Sequence, residues 1–232
     1  MKYRLKVGVS TTSAGVVLPR LEEQLASELA DIVIDYEVAD SSAVRDLVLE
    51  QRVELGLVGA HFEDQDIRSE PFLEGDRLVV IAPPGWGAEG RDRISIHQLK
   101  REHFVTRQAG SGTRLTYEPI LAAAGAPLSS LRVVREAEGA TACIAAVAAG
   151  EGLSIVSLLA AQGAVEEGRV RAFKLEAVTL MRNLYLISHA RVALSEAAER
   201  FAGVLREFRE RCHHFSPRTP QRPPEVASRD RQ

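Results

Sequence analysis

Residues 5–58 read LKVGVSTTSAGVVLPRLEEQLASELADIVIDYEVADSSAVRDLVLEQRVELGLV, and this stretch decides the fold class. Leu5 to Val9 alternates apolar and polar side chains, the period of a strand with one covered face. From Leu18 the apolar residues Leu18, Leu21, Leu25 and Leu29 follow helical spacing. Ile32 to Val38 is a β-branched run, Asp40-Ser41-Ser42 offers N-caps, Val44, Leu47 and Val48 line one face of a second helix, and Leu55 to Val58 returns to strand. Strand, helix, strand, helix, strand in this order predicts parallel strands joined by right-handed crossovers. Phe72-Leu73 and Leu78 to Ile81 then supply two further apolar segments around Glu74-Gly75-Asp76, and Pro83-Pro84-Gly85 interrupts regular structure. The reading places a domain crossover at that turn.

A second unit follows the same grammar. A short helix is predicted after Ser95, a strand at Phe104 to Thr106, a helix from Thr113 to Ala124 ending at Gly125, and a strand at Leu131 to Glu136. An alanine-rich helix, Thr141 to Ala149, closes at Gly150 and leads to a strand at Leu153 to Val156. Each half sets a Ser/Thr/Gly turn between strand and helix, Ser10-Thr11-Thr12-Ser13-Ala14-Gly15 in the first and Gly110-Ser111-Gly112-Thr113 in the second, with Pro19 or Pro119 early in the helix that follows. Either proline sits in a first turn, where a missing N–H is tolerated, or kinks a helix that starts earlier. Leu184 to Ile187 reads as strand, and Ser195 caps a last helix with Phe201, Val204, Leu205 and Phe208 at i, i+3, i+4, i+7. From Ser216 the chain turns to prolines and arginines with almost nothing apolar, so residues 216–232 are expected to form a mobile tail.

Composition narrows the function classes. The 232 residues are 45% hydrophobic, which suffices to bury one core or two without disulfide staples. Cys143 and Cys212 lie far apart with no Cys-x-x-Cys, and both are expected to be free thiols, Cys143 in the core. No apolar run reaches the roughly 18 to 20 residues a membrane helix needs, and the N-terminal residues lead into a strand pattern, so a cytoplasmic location is expected. The 29 basic and 32 acidic residues leave a net charge of -3, which gives no basic field for a polyanion; any nucleic-acid contact is expected from another segment.

Chemistry is sought at the turns. A helix N-terminus offers unpaired N–H groups and the positive end of the peptide dipole, so it favours an anion. In the first turn Ser10, Thr11, Thr12 and Ser13 add short donors. In the second, Gly110 and Gly112 let backbone come close, Ser111 and Thr113 add hydroxyls, and Arg114 adds charge. Each turn alone is equally well read as an ordinary cap. Their repetition, at the carboxyl ends of strands where open α/β sheets hold ligands, favours a site. Gly139-Ala140-Thr141 is a third candidate helix start, preceded by Glu138, which either faces the crevice or is a solvated turn carboxylate. His61 closes the third strand at the same edge, where a lone His is more often packed or exposed than a ligand. No nucleophile elbow, zinc motif, phosphate-binding lysine turn or dinucleotide fingerprint is present. No metal site, cofactor or catalytic residue is expected, and binding is favoured over catalysis.

Taken together, these segments resemble the effector-binding, or substrate-binding, domain of LysR-type transcriptional regulators, whose fold is that of type 2 periplasmic binding proteins. The resemblance runs from Leu5 to about Arg211. It rests on Val7-Gly8-Val9-Ser10-Thr11-Thr12 with Leu18-Pro19, on Glu54-Leu55-Gly56-Leu57-Val58-Gly59 and on Glu70-Pro71-Phe72-Leu73. Further pieces are Leu78-Val79-Val80-Ile81-Ala82-Pro83, Gly110-Ser111-Gly112-Thr113-Arg114, and Val147-Ala148-Ala149-Gly150-Glu151-Gly152-Leu153-Ser154-Ile155. The Gly-Ser-Gly-Thr-Arg turn is most similar to the branch of sulfur- and selenium-metabolism regulators related to CysB.

The resemblance implies two Rossmann-like α/β subdomains joined by two crossover strands, subdomain I from 1–82 and 183–215 and subdomain II from 83–182. It implies a small effector between them, an anion or carboxylate, whether a sulfate-like oxyanion or a small metabolite. Ser10, Thr12 and Ser13 match the first contacting turn and Ser111 to Arg114 the second, while Ala140-Thr141 departs from the polar residues common at the third. The family implies side-by-side homodimers, or a tetramer where a DNA-binding region is attached. Its winged helix-turn-helix has no counterpart in this sequence. The expected function is therefore effector sensing for a LysR-type regulator. The alternative is a free-standing cytosolic solute-binding protein, and an enzyme on this fold ranks below both for want of an acid/base pair.

Overall fold

The computed structural model describes residues 3–87 and 90–212; the expected tail at 216–232 lies outside the described residues. The opening alternation forms strand β1 (Tyr3–Ser10), and its partners are β2 (Ile32–Ala39) and β3 (Leu55–Val58), both parallel to it. Between them lie α1 (Leu18–Glu28) and α2 (Ser41–Leu49). Asp40 starts α2 as the sequence suggests, its carboxylate accepting from Ala43 N at 2.9 Å. The start of α1 differs from a simple capped turn. A π-helical turn, Ser13–Val17, runs directly into α1, where Pro19 is the second residue; the residues before it are already helical, so its missing N–H falls at the junction of the π and α ladders. Pro119, by contrast, lies inside its helix.

The two apolar segments around Glu74-Gly75-Asp76 are one 16-residue strand, β4 (Ile67–Ala82). Its first part, through Arg77, pairs antiparallel with β10 (Met181–His189), which in turn pairs with β3. From Leu78 to Ala82 it pairs instead with β8 (Ser154–Ser157) and β9 (Arg171–Leu175). The passage between the two halves of the molecule is thus made by β4 itself near Arg77 and Leu78, not at Pro83-Pro84-Gly85. A strand can change partners there without breaking, because Asp76 and Arg77 pair with β10 and Leu78 and Val79 with β8. Pro71 and Gly75, which fragment the pattern in sequence, sit where the strand meets β10 or bends beside Asn183.

The second lobe is filled by β5 (Arg93–Ile94), α3 (Ile96–Arg101), β6 (His103–Arg107), α4 (Gly112–Ala123), β7 (Arg132–Ala137), α5 (Gly139–Ala148) and α6 (Leu158–Glu166). Ser95 and Gln98 form a full capping box at α3. Strands β6 and β7 are parallel, and β6 is tied to the segment before β8 by paired backbone bonds between Val105 and Leu153 and between Leu153 and His103, each 2.8 Å. Helix α7 (Glu196–Cys212) returns to the first lobe. There Phe201, Val204, Leu205 and Phe208 pack with Leu5, Val7, Leu21 and Leu25 in one core, while α2 covers the opposite face through Val44, Leu47 and Val48. Two further cores, one around Phe104, Tyr117 and Ile155 and one around Cys143, Val147 and Val156, fill the second lobe. Burial of each such side chain contributes about 1.5 to 3 kcal/mol. The result is two α/β lobes joined by β4 and β10, with the carboxyl ends of β1, β2 and β3 facing the turn after β6.

Candidate ligand-binding cleft

The lobes meet closely at one point. Ser42 N donates to Gly110 O at 3.1 Å, across from the second lobe to the start of α2. A Cβ placed on Gly110 would collide with the Asp40 carboxylate, and one on Gly112 would lie 2.5 Å from the Gly59 carbonyl carbon and 2.7 Å from Ser41 Oγ. The two glycines of the Gly-Ser-Gly turn are therefore what lets this edge of the second lobe seat against the first. Ser41 Oγ is itself fixed by accepting from Gly59 N at 3.1 Å.

Beside this contact lies a buried polar cluster whose centre is a residue that the motif reading passed over. Arg107, the last residue of β6, is 1% exposed. Its Nη2 crosses to the first lobe and donates to Thr11 Oγ1 at 3.2 Å, and its Nη1 donates to Thr113 Oγ1 at 3.3 Å. A second guanidinium, Arg182 on β10, donates to the same Thr113 oxygen at 3.0 Å and to Gly59 O at 3.4 Å. Arg182 has a carboxylate partner: its Nε lies 2.8 Å from Asp76 Oδ2, and Asp76 Oδ1 accepts from Ser157 Oγ at 2.7 Å. Among the described residues Arg107 has none within hydrogen-bond reach. Burial lowers the Arg107 pKa from its ordinary value, with the nearby Arg182 charge acting in the same direction and Cys143, Tyr117 and Asp40 acting more weakly against it. Among the described residues, Arg107 Nε, Arg182 Nη2 and Ser111 Oγ are buried with no hydrogen-bond partner. Three unmet donors in one place are uncommon in a folded core, where buried polar groups are nearly always paired.

The sequence-derived candidates divide around this cluster. Thr11, Ser111, Gly112 and Thr113 belong to it by contact or by their unmet groups. Ser10 and Ser13 are buried and bond to each other, Oγ to Oγ at 3.0 Å, which shapes the first turn; Thr12 is also buried. Arg114, expected beside the anion, is already engaged by carboxylates of its own lobe. Its Nε donates to Glu118 at 2.8 Å and its Nη1 to Glu136 at 2.9 Å and to Arg107 O at 3.0 Å. Partial burial pulls its pKa down, but the Glu118 and Glu136 bonds outweigh this and hold it above the ordinary value. Glu138, read as either facing the crevice or solvated, is exposed at the N-cap of α5 with no capping bond. Thr141 is exposed as well, because α5 turns Ala140 inward and its neighbour out. His61 is exposed and sets its ring edge on Tyr185, with centroids 5.3 Å apart. Arg107 was findable, since it ends the strand that leads into the Gly-Ser-Gly turn. Arg182 and Asp76 become visible only once β10 is seen to pair with β4.

Comparison with known proteins fits this geometry to a family. The model of the LysR substrate binding domain matches residues 1–210. The chain belongs to the LysR substrate-binding domain family. Among curated relatives, it is 31% identical to the HTH-type transcriptional regulator CysL of Bacillus subtilis (strain 168) over 157 residues, covering 68% of this chain and 51% of that protein. It is also 31% identical over 202 residues to the phosphonates import ATP-binding protein PhnC of Anaeromyxobacter dehalogenans (strain 2CP-C), covering 87% of this chain and 40% of that protein. The chain thus spans about half the length of these relatives. The solved regulatory domain of CcmR from Synechocystis PCC6803, in complex with 2-PG, superposes with a TM-score of 0.79 at 26% identity, covering 89% of this chain and 97% of that one. The bilobed substrate-binding-domain fold and a small-molecule-binding function follow from family and structure together. Among the described residues no helix is long and apolar enough to cross a membrane.

Proposed function

We propose that this LysR substrate-binding domain senses a small anionic effector for a transcriptional regulator of the LysR type, holding it between the lobes beside Arg107 and Arg182. One observation carries the reading. A guanidinium shut from solvent, bonded only to neutral hydroxyls and with Nε unmet, is costly unless an anion joins it. Because Arg107 reaches Thr11 across the cleft, an anion bound there stabilises the closed arrangement over the open one. That difference in affinity is what a ligand needs to shift a conformational equilibrium. The 2-PG complex of CcmR supports a ligand in the corresponding domain.

The assembly that would report closure is a homodimer. Edge strand β2 exposes Val33, Tyr36 and Val38, and β7 exposes Val133 and Val134, so each lobe offers an apolar strand edge to a second copy. Val38→Asp should then shift the chain toward monomer in size-exclusion chromatography with light scattering. The reading places the protein in the cytoplasm, assigns it no catalytic step and leaves DNA contact to another segment. A second reading, a solute-binding module serving import, is favoured by the likeness to PhnC over 87% of the chain. A helix-turn-helix segment encoded with the domain decides for sensing, and a neighbouring permease for import.

The test is calorimetric titration of the purified chain with sulfate, thiosulfate, selenate, O-acetylserine and small carboxylates, repeated with Arg107→Gln. Binding of at least one of them that is lost in Arg107→Gln is expected. Binding that survives the substitution removes Arg107 from the site.

A further inference from the structure

Resting on the cleft reading above, we infer that Ser157 is a positioning residue for the cleft: through Asp76 it sets the direction in which Arg182 presents its guanidinium. Ser157 ends β8 and stands at the N-cap of α6 with extended backbone, where a serine hydroxyl ordinarily accepts from a first-turn N–H of its own helix. Other polar N-caps of the molecule do this. Asp40 accepts from Ala43 N at 2.9 Å, Ser95 from Gln98 N at 3.2 Å and Ser195 from Ala198 N at 3.2 Å. Ser111 and Ser157 make no capping bond, and these two lie at the cleft and at the crossover. The Ser157 hydroxyl instead donates to Asp76 Oδ1 at 2.7 Å, with Ser157 1% and Asp76 2% exposed. The helix forgoes a stabilising bond, and the carboxylate gains one.

What the carboxylate gains is a fixed plane. Its Oδ2 meets Arg182 Nε at 2.8 Å, so each oxygen is held by one donor and rotation about the Cβ–Cγ bond is opposed from both sides. A guanidinium is planar and rigid, so fixing the partner of Nε fixes where its far end points. That end reaches Thr113 Oγ1 at 3.0 Å and Gly59 O at 3.4 Å, and it leaves Nη2 buried and unmet. Thr113 Oγ1 also accepts from Arg107, which reaches Thr11, so a continuous run of hydrogen bonds leads from the start of α6 to the first lobe. The start of α6 is a firm base for that run. Leu158 packs in a second-lobe core and Leu159 in the first-lobe core, each 8% exposed. Without the Ser157 hydroxyl, Asp76 Oδ1 is unmet, and the carboxylate turns to find a donor and takes the aim of Arg182 with it. The cation stays but its direction is lost, and a misdirected donor binds an anion less well than a preset one.

The test compares Ser157→Ala, Ser157→Thr and Leu158→Ala in the intact chain by two readouts. One needs no ligand: solvent exchange of the Arg182 Nε–H, followed by NMR with isotope-labelled arginine and assigned by its absence in Arg182→Lys. The other is sulfate affinity by calorimetry. Ser157→Ala is expected to speed the exchange by about tenfold or more and to weaken sulfate binding by about threefold to tenfold. Ser157→Thr, which keeps the hydroxyl, restores both. Leu158→Ala empties part of the second-lobe core and lowers the urea midpoint, yet leaves both readouts as in the parent. Exchange or affinity unchanged in Ser157→Ala overturns the inference. So does Leu158→Ala moving both readouts as far as Ser157→Ala, or a failure of Ser157→Thr to restore either, since each assigns the loss to packing alone. If sulfate and the other anions fail to bind the parent chain, the cleft reading falls, and the exchange comparison still decides whether Ser157 directs Arg182.

Discussion

Arg182 and Asp76 are cross-strand neighbours on β10 and β4, and their side chains form an ion pair of 2.8 Å with exposures of only 3% and 0%. The two strands that carry them are the ones that pass between the lobes. The pair therefore pins the crossover at the point where β4 changes partners, and it sets the Arg182 guanidinium so that its far end reaches Thr113 and Gly59. Asp76 is thereby committed to Arg182, and it leaves Arg107 with hydroxyl partners only.

Asp76→Asn removes the carboxylate bonded to Arg182 and leaves a buried cation. Breaking a buried pair from one side typically costs about 3 to 5 kcal/mol. Urea denaturation should show a loss of that size, with the Ser157 bond to the remaining amide oxygen softening it toward the lower end. A loss below about 1 kcal/mol would mean that the pair is relieved by a local shift.

Arg114→Gln should leave anion affinity within about twofold, since its charge is already met by Glu118 and Glu136 and a neutralised pair exerts little field on a third charge. Arg107→Gln should abolish it. Titration of the two variants side by side separates their roles; a loss in Arg114→Gln comparable to that in Arg107→Gln would place Arg114 in the site.

Cys143 supplies a pH dependence. Burial pushes its thiol pKa up, against the smaller effects of Ser154 and Arg107. The folded state keeps a proton that the unfolded state releases above about pH 8.5, the ordinary thiol value. Stability from this group is thus full below that pH and falls as pH rises beyond it. The slope of stability against pH between about 8.5 and 10 should be shallower in Cys143→Ala. In a Cys212→Ser background, alkylation of native protein near pH 8 should be at least about tenfold slower than that of a free thiol, and a native rate equal to the free rate would contradict the burial.

The periodic elements were legible because their periods are clean. Leu5 to Val9 and Phe201 to Phe208 each declare one buried face, and the structure buries those faces in a shared core, whereas the β-branched run Ile32 to Val38 forms the expected strand but buries only Ile32 there. The segment from Leu158 to Leu175 gave no signal, since α6 is apolar on most sides and β9 is a five-residue strand with two basic residues. The cleft was half legible. Turn chemistry marks Thr11, Ser111, Gly112 and Thr113, because hydroxyls and glycines at strand ends have a local meaning. Charge does not, because which arginine stays unpaired depends on where carboxylates arrive from other elements. Arg114 lies in the motif but meets Glu118 one helical turn on and Glu136 from β7; Arg107 lies just before it and meets neither.

Gly112 tests whether lobe closure and anion binding are one event. It lies at the start of α4 in ordinary backbone geometry, so an alanine there is not strained by its own dihedral angles. The obstacle is entirely across the cleft, where the new Cβ would meet the Gly59 backbone at 2.5 Å, and a backbone has no rotamer by which to step aside. Gly112→Ala should therefore act as a wedge between lobes that remain individually folded. Closure brings Thr11 to Arg107, so a wedge that separates them should weaken sulfate binding by about tenfold or more and enlarge the radius of gyration seen by X-ray scattering. Gly163→Ala is the matched control: it lies within α6 with open space around it and should add helix stability of up to about 1 kcal/mol without touching affinity. If Gly112→Ala expands the molecule yet binds sulfate as the parent does, the donors act from one lobe alone and closure is not the signal.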